Sequence, residues 1–157
     1  MAMTSNPPAV VDNDEFTVRR TITIKAQVVA VWAAISEPQH LSRWFPEVAT
    51  FDAVAVGETG TFTFEGYGSF PVQVEELDEP NVIAYRWGGP TDDPTKPIDP
   101  KRSTVFRFTL DAIEGGTQLT VVETGFNFGD DPAANMEDHR GGWDSELDEL
   151  VAYLEGA

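Results

Sequence analysis

The sequence predicts an α+β fold in which a seven-stranded antiparallel sheet wraps around a long C-terminal helix, with two short helices after the first strand. Three observations carry this expectation. Over residues 140–155, Trp143, Leu147, Leu150 and Leu154 recur at helical spacing while acidic residues fill most of the remaining face. Between residues 16 and 126 the apolar residues mostly alternate with polar ones, as in half-buried strands. The alternating runs are divided by short separators such as Gly66-Tyr67-Gly68 and Glu114-Gly115-Gly116, which suit hairpins between sequential neighbours.

Residues 1–14 are polar, carry Pro7-Pro8 and lack periodicity, so they are expected to form a flexible N-terminal tail ahead of one domain over 15–157. From residue 16 to 25 the chain alternates, placing Phe16, Val18, Ile22 and Ile24 on one face, and Arg20 shares that face. Val28, Val31, Trp32 and Ile35 follow helical spacing, although no Ser, Thr, Asp or Asn stands ahead of them as a cap. Ser36-Glu37-Pro38-Gln39 reads as a capping box with an early proline, so a second, very short helix should run to about Trp44. Six more strands follow near 48–56, 59–65, 70–77, 82–87, 104–112 and 118–126. The proline-rich, unpatterned stretch 88–102 reads either as a lid or as a surface insertion. Asp131 and Pro132 supply the cap and first position of the last helix, which over 132–155 would span roughly 36 Å at 1.5 Å per residue.

Composition removes several classes of function. The chain has no cysteine, which excludes disulfides, thiolate zinc sites and cysteine nucleophiles, and fits a reducing, cytoplasmic setting. No basic leader with an apolar run is visible, and no stretch approaches the roughly 20 apolar residues of a spanning helix. With 27 Asp plus Glu against 10 Lys plus Arg, the net charge of -17 repels phosphate backbones and anionic lipids, so neither nucleic acid nor membrane is expected as a partner. The usual nucleophile-elbow, zincin, Walker and EF-hand signatures are absent, and His40 and His139 fall on different helices. No catalytic set, metal or cofactor is assigned.

The aromatic residues point to a site. Phe62, Phe64, Phe70, Tyr85, Trp87, Phe106 and Phe108 share the apolar parity of their strands, a pattern that either a filled core or a ligand cavity explains. Trp44 and Phe45 follow a polar turn where aromatics would rim an opening, and Trp44 is placed at the entrance. Gly141-Gly142 inside the last helix costs about 1 kcal/mol per glycine relative to alanine, so it serves close packing, a bend or room for a ligand. The expected ligand-binding set is Trp44, Phe62, Phe64, Tyr85, Trp87, Phe106, Phe108, Met136, His139 and Trp143. Arg20 and Glu123 break the inward pattern of their strands and are expected to form a buried charge pair.

The order of elements meets specific residues: Ala26 through Trp32, Glu37-Pro38, Leu41-Ser42-Arg43-Trp44-Phe45, the Glu79-Pro80 turn leading to Tyr85-Arg86-Trp87, and Gly142-Trp143 with Leu147, Leu150, Tyr153 and Leu154. As a set these resemble the SRPBCC (START-like, Bet v 1-like) superfamily and, more narrowly, its Hsp90-ATPase-activator homologue (AHSA1-like) family; Gln27 departs from the proline often found there. The resemblance implies a helix-grip fold whose first and last strands are neighbours, with a cavity between sheet and C-terminal helix. Three functions follow as expectations. The first is a protein that binds an apolar or aromatic small molecule. The second is a cyclase- or hydrolase-type enzyme using one cavity acid or base, drawn from Glu123, His139 or Tyr85. The third is a co-chaperone-like module with a chaperone partner, and a homodimer is compatible with each.

Overall fold

The computed structural model describes residues 6–93 and 95–156. Alternation works as anticipated in the strand Thr17–Ile24, here β2: Val18, Arg20, Ile22 and Ile24 are buried on one face. The chain then forms α1 (Val28–Ser36) and α2 (Pro38–Leu41), followed by β3 (Val48–Phe51), β4 (Thr59–Phe64), β5 (Gly68–Asp78), β6 (Val82–Trp87), β7 (Thr104–Ile113), β8 (Gly116–Thr124) and α3 (Pro132–Glu155). A short strand β1 (Val10–Asp12) precedes β2. All pairings are antiparallel, in the order β1-β2-β8-β7-β6-β5-β4-β3, so the sheet has eight strands rather than seven. A bulge between Val74 and Glu76 shifts the β5–β6 register and bends the sheet.

The added strand lies in the segment expected to be a loose tail, whose residues 1–5 fall outside the described residues. Its anchors come from far along the chain. Asp144 accepts the Ala9 amide at 2.7 Å, Arg20 donates to the Pro7 carbonyl at 2.9 Å, and the Asn6 side chain exchanges hydrogen bonds with Thr23. The expected capping box also fails. Ser36 closes α1, its hydroxyl donating to the Trp32 carbonyl at 2.6 Å, so it is not free to cap the next helix. α2 begins after Glu37 with Pro38 in its first turn and stops at Leu41, short of Trp44. β3 likewise ends at Phe51, before the anticipated residue 56, and β8 ends at Thr124, before residue 126.

α3 matches the expected bounds. The Asp131 carboxylate accepts the Ala134 amide at 3.1 Å, Pro132 occupies the first turn, and Gly156 closes the helix in a left-handed conformation. Met136, Trp143, Leu147 and Leu150 form its buried stripe and meet the concave face of the sheet, where Phe62, Val74, Ile83, Phe106, Phe108, Leu119 and Val121 are sealed from water.

Arg20 and Glu123 both face inward, but they do not pair. Opposite them in the β2–β8 ladder stand Val121 and Val18 respectively, and each charge is answered by α3 instead. The Arg20 guanidinium donates to the Trp143 and Asp144 carbonyls at 3.1 and 3.0 Å and to Asp148 at 2.9 Å. This one side chain therefore ties β2, the N-terminal segment and the middle of α3 together. Arg20→Ala should lower stability by about 1 to 3 kcal/mol in urea unfolding, because it takes the guanidinium donor from the Pro7, Trp143 and Asp144 carbonyls. The same variant should expose the Ala9 amide to hydrogen exchange, and wild-type protection there would show that the N-terminal segment does not depend on Arg20.

Candidate functional site

At the end of the sheet carrying the β4–β5 turn and the 88–102 loop, α3 stands off from the strands and leaves a cleft of about 430 Å³, within the range of small-molecule sites. Phe45, Phe64, Phe70, Trp87, Phe128 and Trp143 supply most of its apolar wall. The helix contributes Asn135, Asp138, His139, Gly142, Trp143 and Glu146, positions that recur every three or four residues and so share one face. Gly88, Gly89, Pro90 and Arg102 bring in both ends of the long loop. That loop is tethered: Arg86 donates to the Pro100 carbonyl and to the Ser103 hydroxyl, and the Gly88 amide donates to the Pro71 carbonyl.

Beneath the cleft, the fully buried carboxylate of Glu123 collects donors from three other elements. The indoles of Trp87 and Trp143 donate to it at 3.0 and 2.8 Å, the Thr104 hydroxyl donates to it, and His139 Nδ1 lies 2.9 and 3.0 Å from its two oxygens. Burial by itself would raise the carboxyl, but the His139 charge and the hydrogen bonds from His139, Thr104 and Trp143 outweigh it and hold Glu123 below its ordinary value of 4.5. For His139 burial alone would favour the neutral ring, yet the charge and hydrogen bond of Glu123, with Asp138 nearby, raise it above 6.5. Each partner thus favours the charged form of the other. With Nδ1 committed to Glu123, His139 Nε2 has no protein partner among the described residues, and no unpartnered side-chain nitrogen or oxygen there is sealed from solvent. Nε2 is therefore open to solvent or to a ligand.

Of the residues expected to bind a ligand, Phe64, Trp87, His139 and Trp143 border the cleft. Phe62, Tyr85, Phe106, Phe108 and Met136 do not: they are packed solid in the core below it. Tyr85 donates its hydroxyl to the Ile35 carbonyl at 2.7 Å, and burial raises its pKa, which removes it as a cavity acid or base. Trp44 is not at the entrance either. Its indole donates to the Ala34 carbonyl at 2.8 Å, and its ring backs onto Phe45 at 5.1 Å, so Phe45 is the member of the pair that meets the cleft. Phe128, Arg102 and Glu146 were missed. Glu146 carried a usable signal, since it lies seven residues beyond His139 and three beyond Trp143 on one helical face.

The family described as Activator of Hsp90 ATPase homolog 1-like protein matches residues 25–155. The chain belongs to the AHSA1-like family. Solved AHSA1-like and related structures share its helix-grip fold. Protein MLL2253 from Mesorhizobium loti superposes with a TM-score of 0.75 at 22% identity, covering 90% of this chain and 98% of its own. The Aha1 dimer from Colwellia psychrerythraea gives 0.69 at 21% identity, over 88% of this chain and 96% of its own. DynU16, from the dynemicin biosynthetic locus, gives 0.69 at 22% identity, over 88% of this chain but 47% of its own. At these identities the likeness shows the fold alone. No curated protein matches the chain.

The His139–Glu123 pair has a defined pH signature. Folding raises His139, so its contribution is complete below its unfolded value near 6.5 and fades as pH climbs through the raised folded value. Folding lowers Glu123, so its contribution is complete above 4.5 and fades as pH falls through the lowered folded value. The pair should stabilise most between pH 4.5 and 6.5. An NMR titration should find the His139 midpoint above 6.5 in the native chain and lower in Glu123→Gln. An unchanged midpoint in that variant would mean that Glu123 does not set the charge of His139.

Proposed function

We propose that this AHSA1-like protein binds one apolar or aromatic small molecule in the cleft between the sheet and α3, and that it does so in the cytoplasm. The observation that carries the reading is Gly142. It lies inside a helix, where glycine is unfavourable by about 1 kcal/mol relative to alanine. A Cβ built there, or at Gly141, meets nothing within 4 Å, so close packing does not account for the pair, and Gly142 borders the cleft. The missing side chain leaves space beside Trp143 that a ligand would fill. Aromatic walls and a few convergent polar groups are the usual composition of such sites. The lack of cysteine and of any described helix long and apolar enough to cross a membrane supports the cytoplasmic part of the proposal.

The test separates room from stability. Gly142→Ala should raise stability by about 1 kcal/mol in urea unfolding and keep saturable binding of a neutral apolar fluorophore such as an N-arylnaphthylamine. Gly142→Phe should remain folded and lose at least tenfold in affinity, about 1.4 kcal/mol, because its ring occupies the cleft. Equal binding by Gly142→Phe, or no saturable binding by the native protein, would overturn the proposal.

A second reading is favoured by one specific feature, the open Nε2 of His139 behind a buried carboxylate. In its protonated form, which Glu123 favours, His139 would donate a proton from Nε2 to a ligand oxygen, which is the single acid that a cyclase- or hydrolase-type reaction in this cleft would need. The co-chaperone and homodimer readings rest on likeness of fold to the Aha1 dimer.

A further inference from the structure

We propose that the ligand of this cleft is an organic cation, an aryl- or alkylammonium whose positive head lies beside Glu146 while its apolar part rests on the aromatic wall. The inference rests on the reading that the cleft binds a small molecule, and it names the chemical class.

Glu146 is half-buried in the cleft wall one turn beyond Trp143. Among the described residues its carboxylate makes no hydrogen bond and no ion pair within 4.0 Å, unlike that of Glu123. Since no unpartnered side-chain oxygen of the described residues is sealed from solvent, the Glu146 oxygens are open to solvent, and the residue lines the cleft. The charges that act on it are of its own sign. Burial, then Glu149 on the same helix and Glu47 ahead of β3, push its carboxyl up to about 7. The cleft's two basic groups are placed elsewhere: His139 is matched by Glu123, and Arg102 stands over the Phe128 ring, 6.0 Å from its centroid, beside the long loop. Above about pH 7, where Glu146 is ionised, the polar wall around it is therefore negative, and Asp138 adds another carboxylate to the same helix face.

The apolar wall has the same preference. Phe45, Phe64, Trp87 and Trp143 line the cleft, and an ammonium group is attracted to the negative face of any such ring that it reaches. Where Glu146 is ionised, a neutral ligand would have to drive it to its neutral form at a cost in affinity, and an anion would add repulsion. The net charge of -17 further raises the local concentration of cations.

The experiment displaces the neutral fluorophore from the native chain at low ionic strength, above pH 7 where Glu146 is ionised, with three matched probes: a phenylalkyl-trimethylammonium, its tert-butyl isostere and the corresponding carboxylate. The ammonium should displace at a concentration at least tenfold below that of the isostere. Added salt should shrink the difference, and Glu146→Gln, its fold checked by cooperative urea unfolding, should abolish it. The native-chain comparison stands without the variant. Equal or better displacement by the isostere overturns the cation assignment but leaves the cleft a binding site. Preference for the carboxylate also overturns it and shifts the polar anchor to Arg102. An ammonium preference that survives Glu146→Gln overturns the role of Glu146. Failure of every ligand, fluorophore included, overturns both readings.

Discussion

A carboxylate taken out of water must be matched by donors or it will not stay ionised, and Glu123 is matched by side chains from β6, β7 and α3 at once. Two of those donors are the indoles of Trp87 and Trp143, and a third is His139. Satisfying Glu123 therefore turns both tryptophans and the histidine to a fixed orientation, and those same three residues border the cleft. The carboxylate sits below the site without lining it. Its role is to decide which faces the lining residues show. Its loss would remove a charge partner and also the directional constraint that keeps Trp143 over the end of the sheet.

Arg20 does the complementary work on the other side of α3. By donating to backbone carbonyls of Trp143 and Asp144 as well as to Asp148, it fixes the helix along its length, while Glu123 fixes the rotation of one residue upon it. The aromatic residues then divide. Those over the middle of the sheet, such as Phe106 and Phe108, interlock with Trp143 at 5.3 and 5.8 Å and leave no room. At the end of the sheet the helix carries Gly142, which borders the cleft and has open space where a Cβ would stand. Solid core and open cleft are consecutive parts of one aromatic face, separated by what α3 presents above them.

Much of the fold could be read from the sequence because it is written in local periodicity. Val18, Ile22 and Ile24 alternate, Trp143, Leu147 and Leu150 recur at helical spacing, and Asp131-Pro132 marks a helix start that needs no tertiary information. What could not be read depends on partners distant in sequence. β1 is held by Asp144 and by pairing with β2, and nothing in residues 6–12 announces either contact. Parity correctly turned Arg20 and Glu123 inward, but parity gives a face and not a distance along it, so it could not show that each would find α3 before the other. For the same reason Phe62 and Phe64, on one face of β4 and two residues apart, looked equivalent; one is sealed in the core and the other borders the cleft. Trp44 and Phe45 were distinguishable only once the indole of Trp44 had been seen to spend its hydrogen bond on Ala34.

The central claim is that a small molecule enters beside two tryptophans held by Glu123, leaving the remaining indoles in the core undisturbed. The chain has four tryptophans, so the indole N–H signals of nitrogen-labelled protein give four separate reporters. Titration with a neutral apolar ligand should shift the Trp87 and Trp143 signals saturably and together, while Trp32 and Trp44 stay in place. Shifts spread over all four, or largest at Trp44, would contradict the account.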